Sequence, residues 1–233
     1  MQGIDSYNKR AEGAVGLKAD PGNINRAISL FEKEYQNPEN QKTAGLYLMR
    51  CYNYKGRFVL SEESEQEAIF KKGKDLGETL VEKFPNDAAI RFEYICLIGL
   101  WADKAGVMQA AWDGVLGKMK DNTEKLITID EAYAGYAGDR ILGILYYQAP
   151  HIPFVLTWPS DEKAKELLGK SVKNAPDEFG SNYYYAEVLD ELGEKAEAKK
   201  YLNKVLEMKP RPELYLEDLS FQDDAKKLLK KIE

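Results

Sequence analysis

The chain offers few side chains that could carry out covalent chemistry. His151 is the only histidine among 233 residues, and Cys51 and Cys96 are the only cysteines. A single histidine excludes multi-histidine metal sites, and it makes any Ser-His-Asp or Cys-His arrangement depend on one residue that lies between two prolines. Leu168–Ser171 has the letters that end a phosphate-binding loop, but Ala164 stands where the first glycine is required. We therefore expect no enzyme, no metal site and no cofactor.

Aromatic side chains are better candidates for binding, and several of them cluster around one proline-rich segment. Residues Ala149–Ser160 contain three prolines, which cannot continue a helix. We predict that this insert forms one wall of a ligand pocket; the alternative is that it plugs a groove of its own protein. The candidate ligand- or partner-binding residues are Tyr94, Trp101, Arg140, Tyr146, Tyr147, His151, Phe154 and Trp158.

Arginines near these aromatic residues are candidates for the charge of a binding site. Arg140 and Arg91 both fall on predicted first helices. The alternative is that each forms a salt bridge with a neighbouring acid, Arg140 with Asp139 and Arg91 with Glu93.

The elements that would position these residues are helices, because apolar residues recur at spacings of three and four and strand patterns are nearly absent. Glycine, proline and asparagine fall at intervals that suit helical hairpins. The predicted helices cover residues 4–16, 24–36, 40–56, 64–84, 88–104, 107–121, 130–148, 161–174, 181–192, 195–208 and 220–232. Ser220 and Asp223 have the spacing of a helix start, so we predict that the last of these begins there and caps the array.

A repeat is clearest at the C-terminal end. Ala186 and Ala198 lie 12 residues apart, with proline at the exit of the second helix. Gly99 and Ala111 have the same spacing. Small side chains at such positions allow two helices to cross closely. Between Gly143 and Ala164 the spacing grows to 21 residues, so about nine residues are inserted there.

This spacing resembles the tetratricopeptide-repeat (TPR) superfamily. The resemblance implies an all-α, right-handed α-solenoid of about five helix pairs with a C-terminal capping helix, forming one domain over residues 1–233. Such a protein binds a protein or peptide partner on its concave face. More narrowly, segments such as 138–143 and 147–153 resemble bacterial proteins related to the T component of TRAP transporters. That resemblance implies a periplasmic protein that binds a small apolar ligand or assists transport.

Charge and hydropathy bear on the kind of partner and on the cellular location of the protein. The net charge of −6 argues against a nucleic-acid partner, and no run approaches the ~18 apolar residues of a membrane span. The chain begins without the apolar core of a signal peptide, so we expect a cytoplasmic protein if Met1 is the native start and a periplasmic one if a signal was removed. The cysteines are expected to be two buried thiols, with a disulfide as the alternative. The oligomeric state stays open.

Overall fold

The computed structural model describes residues 2–154 and 156–232, apart from the side chains of Gln109 and Trp112. Its elements are helical throughout the described residues, with two isolated β-bridges at Val15–Lys18 and Ile152–Leu156. A short 3₁₀ turn covers Pro212–Leu214. The helices are α1 Gln2–Asn8, α2 Pro21–Tyr35, α3 Gln41–Phe58, α4 Glu63–Lys83, α5 Ala88–Ala105, α6 Val107–Trp112, α7 Val115–Ile129, α8 Tyr133–Gln148, α9 Asp161–Asn174, α10 Phe179–Glu191, α11 Lys195–Glu207 and α12 Tyr215–Ile232.

Consecutive helices pack against each other, as the repeat pattern predicts. The chain forms two compact units, Met1–Asn122 and Thr123–Glu233. In the first unit α2, α3, α4 and α5 each pack on the next helix, and in the second unit α8 to α12 do the same. The prediction of a TPR-like all-α array with a final capping helix is confirmed. None of the described helices is both long and apolar enough to cross a membrane.

Glycine and alanine make the close helix crossings. A Cβ atom added at Gly143 of α8 would lie 2.7 Å from Leu168 Cγ and 3.3 Å from the carbonyl oxygen of Ala164, both on α9. At Gly77 of α4, a Cβ atom would meet Tyr94 of α5 at 2.7 Å. Ala186 and Ala198 are fully buried in one apolar cluster, as their spacing predicts. Small residues therefore set the helix-to-helix distance within each unit.

Three predicted helix boundaries were wrong, and each has a local cause. The first helix ends at Asn8 rather than residue 16, because Gly13 and Gly16 adopt positive φ angles of 75° and 58°. The helix predicted over 107–121 is divided by Gly114, whose φ is 72°.

The last helix was also misplaced, because it begins at Tyr215 rather than near Ser220. Its first turn contains Asp218, which is fully buried and accepts a hydrogen bond from the Arg211 backbone N–H at 2.8 Å. The Arg211 guanidinium also donates to Asp218 at 2.6 Å and 2.9 Å. This pairing fixes the start of α12 about one turn before the predicted position.

The cysteines differ from each other in burial. Cys51 is fully buried, as predicted, and burial raises the pKa of its thiol well above the ordinary value. Cys96 is only half-buried, which the sequence did not predict, and no disulfide joins it to Cys51 in the described structure.

Candidate functional site

A groove opens in the second unit where α8 ends, α9 begins and α10 completes its last turns. It has a volume of about 480 Å³ and is shallow and largely open to solvent. Its lining is Tyr147 and Gln148 from α8, Asp161 from α9, and Glu187 and Glu191 from α10. We call this feature the acidic groove, because three of these five residues are acids.

The insert predicted over residues 149–160 brings Asp161 into this groove. Helix α8 ends at Gln148 and α9 begins at Asp161, so the predicted limits of the insert are confirmed. The end of the insert lies beside the last turn of α8, because the Ser160 N–H donates to the Tyr146 carbonyl oxygen at 2.9 Å. The Trp158 ring packs edge-on against Tyr146, with the ring centroids 5.4 Å apart. The first residue of α9 thereby stands beside the last turn of α8.

The potential in the acidic groove is negative. Burial raises the pKa of the Tyr147 hydroxyl to about 12, and the carboxylates of Glu187, Glu191 and Asp161 add to the rise. Within the part of the chain that the structure describes, none of these three acids forms an ion pair. Elsewhere on the same helices acids are neutralised, as by the Lys163–Glu166 pair at 2.8 Å. The groove is thus an uncompensated patch of negative charge with an aromatic wall.

Glu187 is the most enclosed of the groove acids. Its Oε1 accepts a hydrogen bond from the Tyr183 hydroxyl at 2.8 Å. Its Oε2 is buried and has no hydrogen-bond partner among the described residues. Burial raises the pKa of Glu187, and the hydrogen bond from Tyr183 only partly offsets that effect. A charged carboxylate with one bare oxygen is costly in such surroundings unless it meets a cation or a proton.

A second groove on the same unit is larger, and two of its three acids, Glu166 and Glu194, are paired with lysines. It measures about 620 Å³ and includes Tyr185, Leu192 and Gly169 in its lining. Its Lys165 forms an ion pair with Glu194 at 2.6 Å. Glu162 is the one acid of this lining without an ion pair among the described residues, against three in the acidic groove, so the second groove has less to gain from a cationic partner.

The predicted aromatic cluster around the insert is only partly at the acidic groove. Tyr147 lines it, while Tyr146 and Trp158 pack against each other beside it. The sequence prediction missed Gln148, Asp161, Glu187 and Glu191. Glu187 and Glu191 lie four residues apart, which places them on one face of α10, and this spacing was the available signal.

The tip of the insert does not line the acidic groove. Ile152 and Leu156 are buried and exchange backbone hydrogen bonds of 2.9 Å and 2.8 Å. Phe154, at the turn between them, has a φ of 65° and is fully exposed. His151 is exposed as well, and Val155 lies outside the described residues. Neither Phe154 nor His151 lines the acidic groove, so their role in binding stays a prediction.

Tyr94 and Trp101 belong to the first unit. Tyr94 is buried in its core against Gly77, while Trp101 is half-buried with the Lys74 ammonium 5.1 Å from its ring centroid. Tyr94 therefore fills a helix crossing and presents little surface to a ligand. The other six predicted site residues belong to the second unit.

Arg140 is engaged in a polar network beneath the helix surface. It donates to the Ser181 hydroxyl at 3.3 Å and to the Gly135 carbonyl at 3.4 Å, and it lies 4.0 Å from Glu178. The alternative pairing with Asp139 is wrong, because Asp139 contacts Lys170 at 3.0 Å. The network explains Arg140 without a ligand.

The alternative pairing of Arg91 with Glu93 is wrong as well. Arg91 is buried and donates to Asn122 Oδ1 at 2.5 Å and to the Pro85 carbonyl at 2.6 Å. Glu93 instead pairs with Arg50 at 3.0 Å. Arg91 thus joins α5 to α7, and Arg140 joins α8 to α10, so neither arginine pairs with the acid that is close to it in sequence.

The chemistry open to the acidic groove is recognition of positive charge. The described residues contain no group of three or more histidine, cysteine or acidic side chains placed to hold a metal ion. The three groove acids do not form such a group. A longer cation, such as a lysine or arginine side chain, can contact them one at a time.

Comparison with known proteins supports the fold. No protein-family model matches the chain. A crystal structure of a thermophilic TPR protein from Thermus thermophilus superposes with a TM-score of 0.64 at 18% identity, covering 90% of this chain and 92% of that one. This likeness shows a TPR-like fold.

Sequence relatives carry a functional name. The protein called regulator of microtubule dynamics protein 3 is 27% identical in Rattus norvegicus over 73% of this chain, and 25% identical in Bos taurus over 96% of it. The chain spans only 37% and 54% of these two relatives' lengths. The narrower resemblance to the T component of TRAP transporters gains no support from these proteins. The chain thus has a TPR-like fold and distant mammalian relatives named for microtubule dynamics.

Proposed function

We propose that this chain is a non-catalytic interaction scaffold whose acidic groove binds a lysine- or arginine-bearing segment of a partner protein. The observation that carries the proposal is the set of three groove acids, Asp161, Glu187 and Glu191, none of which forms an ion pair within the described structure. The TPR-like fold supports the same class of function, because such folds present helical surfaces to peptides.

The groove has the two features that recognise an ammonium or guanidinium group. Its carboxylates attract the charge, and charge complementarity mainly raises specificity and the association rate. Its Tyr147 wall can lie against the cation and against the methylene groups that carry it. The alternative expected from the sequence is a small apolar ligand, which fits less well against a lining in which three of five residues are acids.

Hexalysine is a suitable probe, and hexaglutamate is its opposite-charge control. Titration calorimetry should show hexalysine binding that weakens as salt is added, and no hexaglutamate binding. The double variant Asp161→Asn, Glu191→Gln should bind hexalysine about threefold to thirtyfold more weakly, because each lost charge pair is worth ~0.3–1 kcal/mol.

A matched control removes an acid that is already neutralised. Glu166→Gln on α9 breaks the pair with Lys163 but lies outside the acidic groove. It should leave hexalysine affinity unchanged. Equal weakening by Glu166→Gln and by the double variant would show that the peptide responds only to net charge, and the groove would then not be the site.

A second candidate function comes from the relatives. Their name suggests that this chain, too, regulates microtubule dynamics, although it spans about half of their length or less. Co-sedimentation with assembled microtubules and turbidity of polymerising tubulin test this directly. An unchanged polymerisation curve and a protein that stays in the supernatant would remove the candidate. A periplasmic location also stays a proposal, which fractionation of the native host would test.

A further inference from the structure

Glu187 differs from the other groove acids because one of its oxygens is enclosed. Its Oε1 accepts from the Tyr183 hydroxyl, and its Oε2 is buried with no hydrogen-bond partner among the described residues. Asp161 and Glu191 stand at the ends of their helices, where water reaches them more easily. An enclosed carboxylate has two ways to avoid the cost of bare charge: it keeps a proton or it meets a cation.

The surroundings of Glu187 favour the proton while the groove is empty. Most of the nearby described groups are acidic or neutral, and the cation Lys231 acts weakly from α12. The groups that act on the pKa of Glu187 are Tyr183 of α10 and Asp224 and Lys231 of α12, while Tyr147, Asp161 and Glu191 line the same groove. Burial penalises ionisation of Glu187 most, and the negative charge of Asp224 adds to that penalty.

A cation in the groove reverses this balance. An ammonium group that enters this groove comes close to the Glu187 carboxyl, which lines it, and an adjacent positive charge favours the ionised form of a carboxyl group. We propose that recognition in the acidic groove is proton-linked: Glu187 holds a proton in the empty groove and releases it to solvent when a cationic segment binds. The inference rests on the proposed function, because it needs the cation that function supplies.

The linkage has a definite sign. Binding that releases a proton grows stronger as pH rises, by at most about tenfold per pH unit, and levels off above the pKa of Glu187 in the empty groove. Since burial raises that pKa above the ordinary carboxyl value of 4.5, the steep region lies on the neutral side of that value.

The test counts protons during hexalysine binding. Calorimetry at one pH in two buffers of different ionisation enthalpy gives the number released, and a series from pH ~5 to ~8 gives the trend in affinity. The wild-type chain should release a fraction of a proton, and this fraction should fall to zero at the highest pH of the series. Glu187→Gln, which keeps the size of the side chain, should bind hexalysine with no proton release and a flatter pH dependence.

The control variant is Glu191→Gln, which should bind more weakly but still release the proton. Proton release that persists in Glu187→Gln would overturn the assignment to this residue, and binding without release in the wild type would overturn the linkage while leaving the proposed function intact. Absence of any hexalysine binding would overturn the proposed function and the coupling with it. A carboxyl-carbon titration of Glu187 in the peptide-free chain by NMR would separately overturn the inference if its pKa were ordinary.

Discussion

The crossing of α8 and α9 predicts that one methyl group at Gly143 destabilises the second unit. A Cβ atom there would lie 2.7 Å from Leu168 Cγ, and 3.3 Å from two backbone atoms of α9. The backbone atoms of α9 cannot rotate away, and Leu168 Cγ moves only if its side chain leaves the packed χ1 rotamer, so the contact is relieved only by strain in Leu168 and separation of the helices. Overpacking of this kind costs ~1–3 kcal/mol, and we take the upper end because the neighbours are rigid. Alanine recovers ~1 kcal/mol of helix propensity, so Gly143→Ala should cost about 2 kcal/mol in net unfolding free energy.

Gly169 is the matched control on the same helix pair. A Cβ atom at Gly169 would meet Tyr185 at 3.5 Å, which is ordinary van der Waals contact. Gly169→Ala should therefore stabilise the unit by ~0.5–1 kcal/mol. With a urea slope of ~2 kcal/mol/M, the midpoint should fall by about 1 M for the first variant and rise slightly for the second. A Gly143→Ala chain that is as stable as wild type would refute the packing assigned to this crossing.

Further expectations concern the core and its ionisable groups. Ala198→Leu should cost ~1–3 kcal/mol in urea unfolding, because Ala198 is fully buried against its neighbouring helix. Native Cys51 should resist a thiol reagent that labels it in denaturant, whereas half-buried Cys96 should react slowly in the native state. The raised pKa of Glu187 means that the folded chain holds a proton which the unfolded chain has already released, so stability falls as pH rises from about 4.5 towards that pKa. Glu187→Gln should reduce this slope, and a chain whose stability does not change over that range would contradict the assignment.

Much of the fold could be predicted because its causes are local. The prolines of the insert end α8 and delay α9, so both of these limits were predicted correctly. The start of α12 was missed because it depends on Arg211 reaching the buried carboxylate of Asp218, and a Ser-x-x-Asp pattern nearby was misleading. The sequence pattern therefore predicts a helix start well where no arginine–carboxylate contact of this kind fixes the first turn.

The candidate site could not be predicted in the same way. Glu187 and Glu191 look like ordinary surface acids in sequence, and only the three-dimensional packing shows that no lysine of the described chain pairs with them. The paired acid Glu166 has the same sequence character, yet Lys163 neutralises it. The partners of the arginines could not be predicted from the sequence either, since Arg91 and Arg140 form hydrogen bonds across helices rather than with the acids beside them.

Chemical-shift mapping by NMR shows directly whether a cationic peptide binds in the acidic groove. Hexalysine should be added to the isotope-labelled chain while the backbone amide and tyrosine signals are followed by NMR. We expect saturable shifts concentrated at Tyr147, Asp161, Glu187 and Glu191, and these shifts should become smaller as salt is added. Shifts confined to other helices, or small shifts spread evenly over every exposed acid, would contradict the assignment of the acidic groove as the binding site.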